Sequence, residues 1–74
     1  MLSNIQIAFI GAGAMGEAMI AGLIAQKLIA PESIIAAEPR VEQGEVLRSK
    51  YGIRVTTENR LAAEKADVVV LAVK

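Results

Sequence analysis

The chain has 74 residues, eight basic and eight acidic side chains, and a hydrophobic content of 54%. That size suits one small domain, and the balanced charge gives no net field to draw nucleic acid or a membrane surface. The absence of cysteine and histidine excludes a disulfide framework, thiolate chemistry, and the commonest general base and metal ligand.

No basic stretch precedes a long apolar run at the N-terminus, and no apolar run reaches about 18 residues. Neither a secretion signal nor a membrane span is expected, and the cytoplasm is the expected compartment. Ile5 to Ile10, "IQIAFI", is short and nearly all apolar, as a strand buried on both faces of a parallel sheet would be. From Ala14 to about Lys27 the period changes. Met15, Met19, Ile20, Leu23, Ile24 and Leu28 form one helical stripe, with Glu17 placed to complement the dipole. "APES", Ala30 to Ser33, breaks the pattern.

A second strand is expected at Ile34 to Glu38, stopped by Pro39. A second helix is expected from Val41 to Tyr51, with Val41, Leu47 and Tyr51 toward a sheet and Gly52 as a left-handed cap. Gly44 lies inside it and weakens it. Ile53 to Val55 reads as a short third strand. Thr56 or Thr57 is placed to cap a third helix from about Glu58 to Lys65, and Asp67 to cap or turn the chain ahead of the next strand. Val68 to Val73, "VVVLAV", is the strongest strand pattern. Arg48, Lys50, Arg54 and Arg60 read as solvated.

Strands alternate with helices through short connections, which predicts an α/β fold with a parallel sheet and right-handed crossovers. Four strands connected this way are expected in the order 3-2-1-4. Helices one and two then cover one face, and helix three covers the other. Strand four becomes an outer strand although it is apolar on both faces. The chain is therefore expected to be the N-terminal, incomplete part of a larger domain. Isolated, it is expected to self-associate through strand four, exchange segments or stay partly molten.

The candidate site lies at "FIGAGAMG". Gly11, Gly13 and Gly16 fit G-x-G-x-x-G after a predicted strand and at the start of a predicted helix, with Glu38 about 20 residues on. Gly11 allows a tight turn, Gly13 lets a pyrophosphate reach the backbone, and Gly16 lets helix and strand pack closely. The helix N-terminus adds unpaired N–H groups and partial positive charge. The spacing predicts a dinucleotide cradle of Rossmann type; its alternative is a purely structural glycine turn. Glu38 is placed to accept from ribose hydroxyls, which favours NAD(H), or is a solvated loop charge. Arg40 is placed to grip a 2′-phosphate, which favours NADP(H), or is an exposed loop arginine. Met15 either borders the nicotinamide or packs in the core, and core packing is the commoner fate at that spacing. No catalytic pair and no metal-ligand cluster is apparent.

"IAFIGAGAMGEAMIAGL", "LIAPESI", "YGIRVTTEN" and "ADVVVLAVK" together resemble the N-terminal part of the pyrroline-5-carboxylate reductases, in register over essentially the whole chain. The 3-hydroxyisobutyrate-type dehydrogenases share the glycine loop but usually lack the longer helix-to-strand connection and the closing "AVK". The resemblance implies an NADPH- or NADH-dependent reduction of 1-pyrroline-5-carboxylate to proline, with NADP(H) slightly favoured. It implies cofactor contacts at Gly11, Ala12, Gly13, Ala14, Met15 and Gly16. Further contacts are implied at Glu38, Pro39 and Arg40, at Asn59, and at Ala72, Val73 and Lys74. The family often carries a small polar residue where Glu38 stands, and Asn, Gln or Lys where Ala14 stands. It also implies a homo-oligomeric parent whose substrate site lies in a helical, dimer-forming second domain outside this chain. The alternatives are a non-catalytic NAD(P)-binding module, a 3-hydroxyisobutyrate-type dehydrogenase segment, or an α/β fragment with no ligand.

Overall fold

The computed structural model describes residues 5–11 and 13–72. The elements run β1 (Ile7–Ile10), α1 (Ala14–Ala25), a single 3-10 turn (Pro31–Ser33), β2 (Ile34–Ala37), α2 (Val41–Tyr51), β3 (Arg54–Thr56), α3 (Asn59–Glu64) and β4 (Val68–Leu71). The strands form one sheet in the order β3-β2-β1-β4, and all three pairings are parallel. The expected topology is therefore the observed one.

β1 is central and buried along its whole length, and its alternation splits the core in two. Ile7 and Phe9 point toward α1 and α2, where they meet Ile20, Ile34, Leu47 and Ile53. Ala8 and Ile10 point to the other face, where Ala62 of α3 covers them. Each large apolar side chain so buried contributes roughly 1.5–3 kcal/mol. α1 and α2 share one face and α3 takes the other, as right-handed crossovers require.

Several boundaries differ from expectation. β1 starts at Ile7 because its register against β4 pairs Ile7 with Val68. Ahead of that pair the chain turns at Asp67, whose Oδ2 accepts the Gln6 N–H at 2.8 Å. α1 ends two residues early. Lys27 takes a left-handed φ of 57°, its N–H donates to the Ile24 carbonyl at 3.0 Å, and the Leu28 N–H donates to the Leu23 carbonyl at 3.1 Å. Those bonds form a Schellman close with lysine in place of the usual glycine. β3 is shifted one residue, because its ladder with β2 pairs Arg54 with Ile35 and leaves the buried Ile53 ahead of it. Among the described residues β4 spans Val68–Leu71, and its expected end at Val73 lies outside them. Helix α3 begins at Asn59 with Glu58 as its N-cap, and no side chain caps it. Thr56 Oγ1 instead accepts the Glu58 N–H at 3.2 Å, bracing the turn into the helix.

The α1 stripe is narrower than predicted. Ile20 is buried and Leu23 and Ile24 pack on the core, but Met15, Met19 and Leu28 are exposed. Core packing of Met15 is thus overturned: it stands in the first turn, beyond the reach of the sheet, and is 66% exposed. Val41 is likewise exposed at the first turn of α2, while Leu47 and Tyr51 face inward as expected. β4 is the outer strand, with Val68, Val69 and Leu71 exposed. Among the described residues no helix is long and apolar enough to cross a membrane.

α1 and α2 are tied together across their polar rim. The Tyr51 hydroxyl donates to Glu17 Oε2 at 2.7 Å, and Lys50 Nζ donates to the same oxygen at 3.0 Å. Glu17 is therefore a bridge between helices as well as a dipole partner. The Tyr51 hydroxyl first, and Lys50 second, hold its carboxyl below the ordinary carboxylate range. A lowered folded value contributes stability above the unfolded pKa, and that stability is lost as pH falls through the folded value. Tyr51→Phe is expected to lower the melting temperature at about pH 7, with the gap to wild type closing as pH falls through the lowered Glu17 value. A gap unchanged by acid would show that the hydroxyl acts through packing alone.

Candidate functional site

All four strands run the same way, so their C-terminal ends lie along one edge. The Gly11 N–H donates to the Ala37 carbonyl at 3.3 Å, the Glu38 N–H to Thr56 at 2.8 Å, and the Ala72 N–H to Ile10 at 2.9 Å. The ends of β1, β2, β3 and β4 are thereby tied side by side. From β1 the chain winds outward to β2 and β3, then returns to place β4 on the far side of β1. The crevice between the ends of β1 and β4 is the switch point, where open α/β sheets bind ligands.

Gly11, Gly13, Glu38, Asn59 and Ala72 all sit on this edge or on the loops leaving it. Gly11 has a φ of 73°, a left-handed turn that turns the chain out of β1 without a Cβ penalty. Gly13 is the N-cap of α1 with φ −71° and ψ −155°. Its N–H donates to the Gly11 carbonyl at 2.8 Å, and its carbonyl accepts the Glu17 N–H at 2.8 Å. The N–H groups of Ala14, Met15 and Gly16 precede that first helical bond and have no intrahelical partner. A Cβ built on Gly13 meets no atom within 4 Å. Nothing in the fold itself forbids a side chain there, so the space is open to a ligand. Gly16 is buried, and Met15 projects from the same first turn into solvent. The expected contacts at Ala12, Val73 and Lys74 lie outside the described residues.

Glu38 and Arg40, given separate roles by the sequence, are paired with each other. The Glu38 carboxylate is buried, so it is not a solvated loop charge. It accepts the Arg40 backbone N–H at 2.9 Å, Arg40 Nε–H at 3.0 Å and Arg40 Nη2–H at 3.3 Å. The guanidinium holds the Glu38 carboxyl below its ordinary range, against the opposing effect of burial. Arg40 is exposed but not free. Pro39 bridges the two at the surface. Asn59 is exposed at the start of α3.

Beside Glu38 lies a cavity of about 430 Å³ lined by Val41, Gly44, Glu45, Arg48, Thr56 and Thr57 among others. The sequence marks Thr56 and Thr57 only as helix caps, and the structure places both on this cavity. The predicted strand order was the signal that places the end of strand three beside Glu38. Arg48 on this cavity is exposed, as expected, and paired with Glu45; Arg54, also exposed, donates to Gln6 Oε1 at 2.6 Å. Among the described residues no three acidic, histidine or cysteine side chains converge as a metal site.

Residues 6–74 match the protein family described as NADP oxidoreductase, coenzyme F420-dependent. The chain is 45% identical over 71 residues to the pyrroline-5-carboxylate reductase of Synechocystis sp., a match covering 96% of this chain and 27% of that protein. It is 47% identical over 68 residues to the enzyme of the same name from Corynebacterium melassecola, covering 92% and 25%. A solved pyrroline-5-carboxylate reductase from Coxiella burnetii superposes with a TM-score of 0.89 at 37% identity, covering 96% of this chain and 26% of that one. The chain thus spans about a quarter of the length of the curated relatives it matches. The resemblance carried by the glycine loop and the closing strand is borne out, and no match favours a 3-hydroxyisobutyrate-type dehydrogenase.

Proposed function

The chain belongs to the NADP oxidoreductase, coenzyme F420-dependent family, and from that membership we propose that it is the dinucleotide-binding segment of an NAD(P)H-dependent reductase. The substrate proposed is 1-pyrroline-5-carboxylate and the product proline, by likeness to the reductases it matches. The observation that carries the binding role is the open space at Gly13, beside first-turn N–H groups that have no intrahelical partner, at the switch point between β1 and β4.

In this role, residues Gly11 to Gly16, Ala12 and Ala14 included, hold the pyrophosphate on backbone N–H groups and the helix dipole. Glu38, Pro39 and Arg40 bound the ribose, with Thr56, Thr57 and Asn59 next to them. Met15 and the residues from Ala72 to Lys74 border the nicotinamide half. The cofactor supplies the hydride when bound. The chain's own residues orient it and leave its reactive face toward the substrate. No residue here is assigned as the proton donor; that role goes to a helical, dimer-forming domain beyond residues 1–74. A homo-oligomeric parent and a cytoplasmic location belong to the same proposal. The exposed apolar β4 edge supports self-association of the chain, which light scattering would register.

The test is a titration of the chain with NADH and NADPH, followed by nicotinamide fluorescence. Saturable binding of either is the expected result. Binding of neither by a folded chain would leave only a structural glycine turn.

A further inference from the structure

Arg40 turns three N–H groups onto one carboxylate, and the two residues differ sharply in exposure. The Glu38 side chain is 3% exposed and that of Arg40 69%. An oxygen that water hardly reaches is closed to a ribose hydroxyl as well, since either must approach to about 2.8 Å. Glu38 therefore does not serve as the ribose acceptor that its place after β2 suggests. Arg40 has five N–H donors on its guanidinium, and two of these are taken by Glu38. The others remain on the exposed side of the group. Its positive charge, however, is matched by a carboxylate oxygen 3.0 Å away.

The neighbouring cavity repeats this condition. The arginine that lines it, Arg48, is paired with Glu45. Among the described residues, both guanidinium groups beside the end of β2 are thus matched by carboxylates. Glu42 adds a further negative side chain next to Arg40.

We propose that Glu38 is a positioning residue that neutralises Arg40 and thereby selects a dinucleotide with a free ribose 2′-hydroxyl, NAD(H), over NADP(H). A 2′-hydroxyl needs only hydrogen-bond partners, and the outward N–H groups of Arg40 supply them. A 2′-phosphate brings negative charge to a surface that offers no net positive charge. To grip it fully, Arg40 would have to leave Glu38. That would strand a buried carboxylate without its partner, the costly way to break such a pair. The family description names NADP, and this pair is where the chain departs from it. The selection presupposes the dinucleotide site proposed above.

The test titrates the chain and its Glu38→Gln, Arg40→Ala and doubly substituted variants with NADH and with NADPH. Circular dichroism confirms folding, and Glu38→Ser serves as a second removal of the charge. Wild type is expected to bind NADH at least about tenfold more tightly than NADPH. Glu38→Gln is expected to close that gap through a gain of about tenfold in NADPH affinity, and Arg40→Ala in the same chain to cancel the gain. A wild type that prefers NADPH overturns the inference while leaving the dinucleotide site standing. So does a Glu38→Gln variant whose preference shifts through lost NADH affinity, because that marks the carboxylate as a direct ribose acceptor. A gain that survives Arg40→Ala also overturns it. Binding of neither dinucleotide removes the site and the selection together.

Discussion

Gly13→Val is expected to abolish dinucleotide binding while the chain remains folded. The backbone at this position is extended, with φ −71° and ψ −155°, a region that valine adopts readily. The missing Cβ points into open space, with no described atom within 4 Å beyond its chain neighbours, so the fold leaves room for a side chain. Losing glycine as the N-cap costs at most about 1 kcal/mol. The added methyl groups would fill the approach to the unpaired N–H groups at the start of α1. A pyrophosphate that cannot reach them loses several charge-assisted bonds, each worth about 1.5–3 kcal/mol. The loss in affinity is expected to exceed about a hundredfold. Titration with NADH and a thermal melt on the same sample check both halves. Affinity within a few-fold of wild type would show that the phosphates do not pass over Gly13.

Gly44→Val is expected to have the opposite profile, with large damage to folding from a residue on the flank of the site. A Cβ at Gly44 would stand 2.8 Å from Val55 Cγ1, closer than two carbons tolerate. Val55 is β-branched and stiff about χ1, and it packs against the core from β3. It has little freedom to move aside. Either α2 lifts from the sheet or β3 shifts, and such overpacking costs about 1–3 kcal/mol. A domain of this length has net stability on the order of 5 kcal/mol, so the loss is a large share of it. Even Gly44→Ala is expected to forfeit the roughly 1 kcal/mol that alanine normally gains over glycine in a helix. Val55→Ala makes room, so the double variant Gly44→Val/Val55→Ala is expected to melt above the sum of its single effects. Strict additivity in denaturant unfolding would mean that the two residues do not press on each other.

The two glycines also separate what could be read from the chain from what could not. Gly13 is legible as a special position because its spacing from Gly11 and Gly16, after an apolar strand and before a helical stripe, is a local pattern. Gly44 read only as a weakness within a helix. Its reason is Val55, and their closeness exists only once α2 lies against β3. Met15 shows the same limit from the other side. A helical stripe tells which residues share a face, but not how far along the helix the sheet extends beneath it.

Glu38 and Arg40 were singled out from position, one for each of two cofactors. Both residues lie in the predicted place, and the structure pairs them with each other, which position along the chain does not show. Their pairing across Pro39 depends on how deeply the end of β2 is covered, and the neighbouring turn after β3 belongs to that cover.

By itself the sequence determined the order of elements, the parallel sheet of order 3-2-1-4, the division of helices between its faces and the location of the glycine cradle. These follow from periodicity, turn residues and the handedness of crossovers, all of which act over short stretches of chain or are common to every chain of this type. Only the tertiary structure decided that Glu38 is buried against Arg40, that Gly44 faces Val55, that Thr56 and Thr57 adjoin the cavity beside Glu38, and that Glu17 bridges to Tyr51. Each of these depends on the exact depth and register at which elements meet, and side-chain burial, hydrogen bonding and charge pairing are set by that meeting rather than by spacing along the chain.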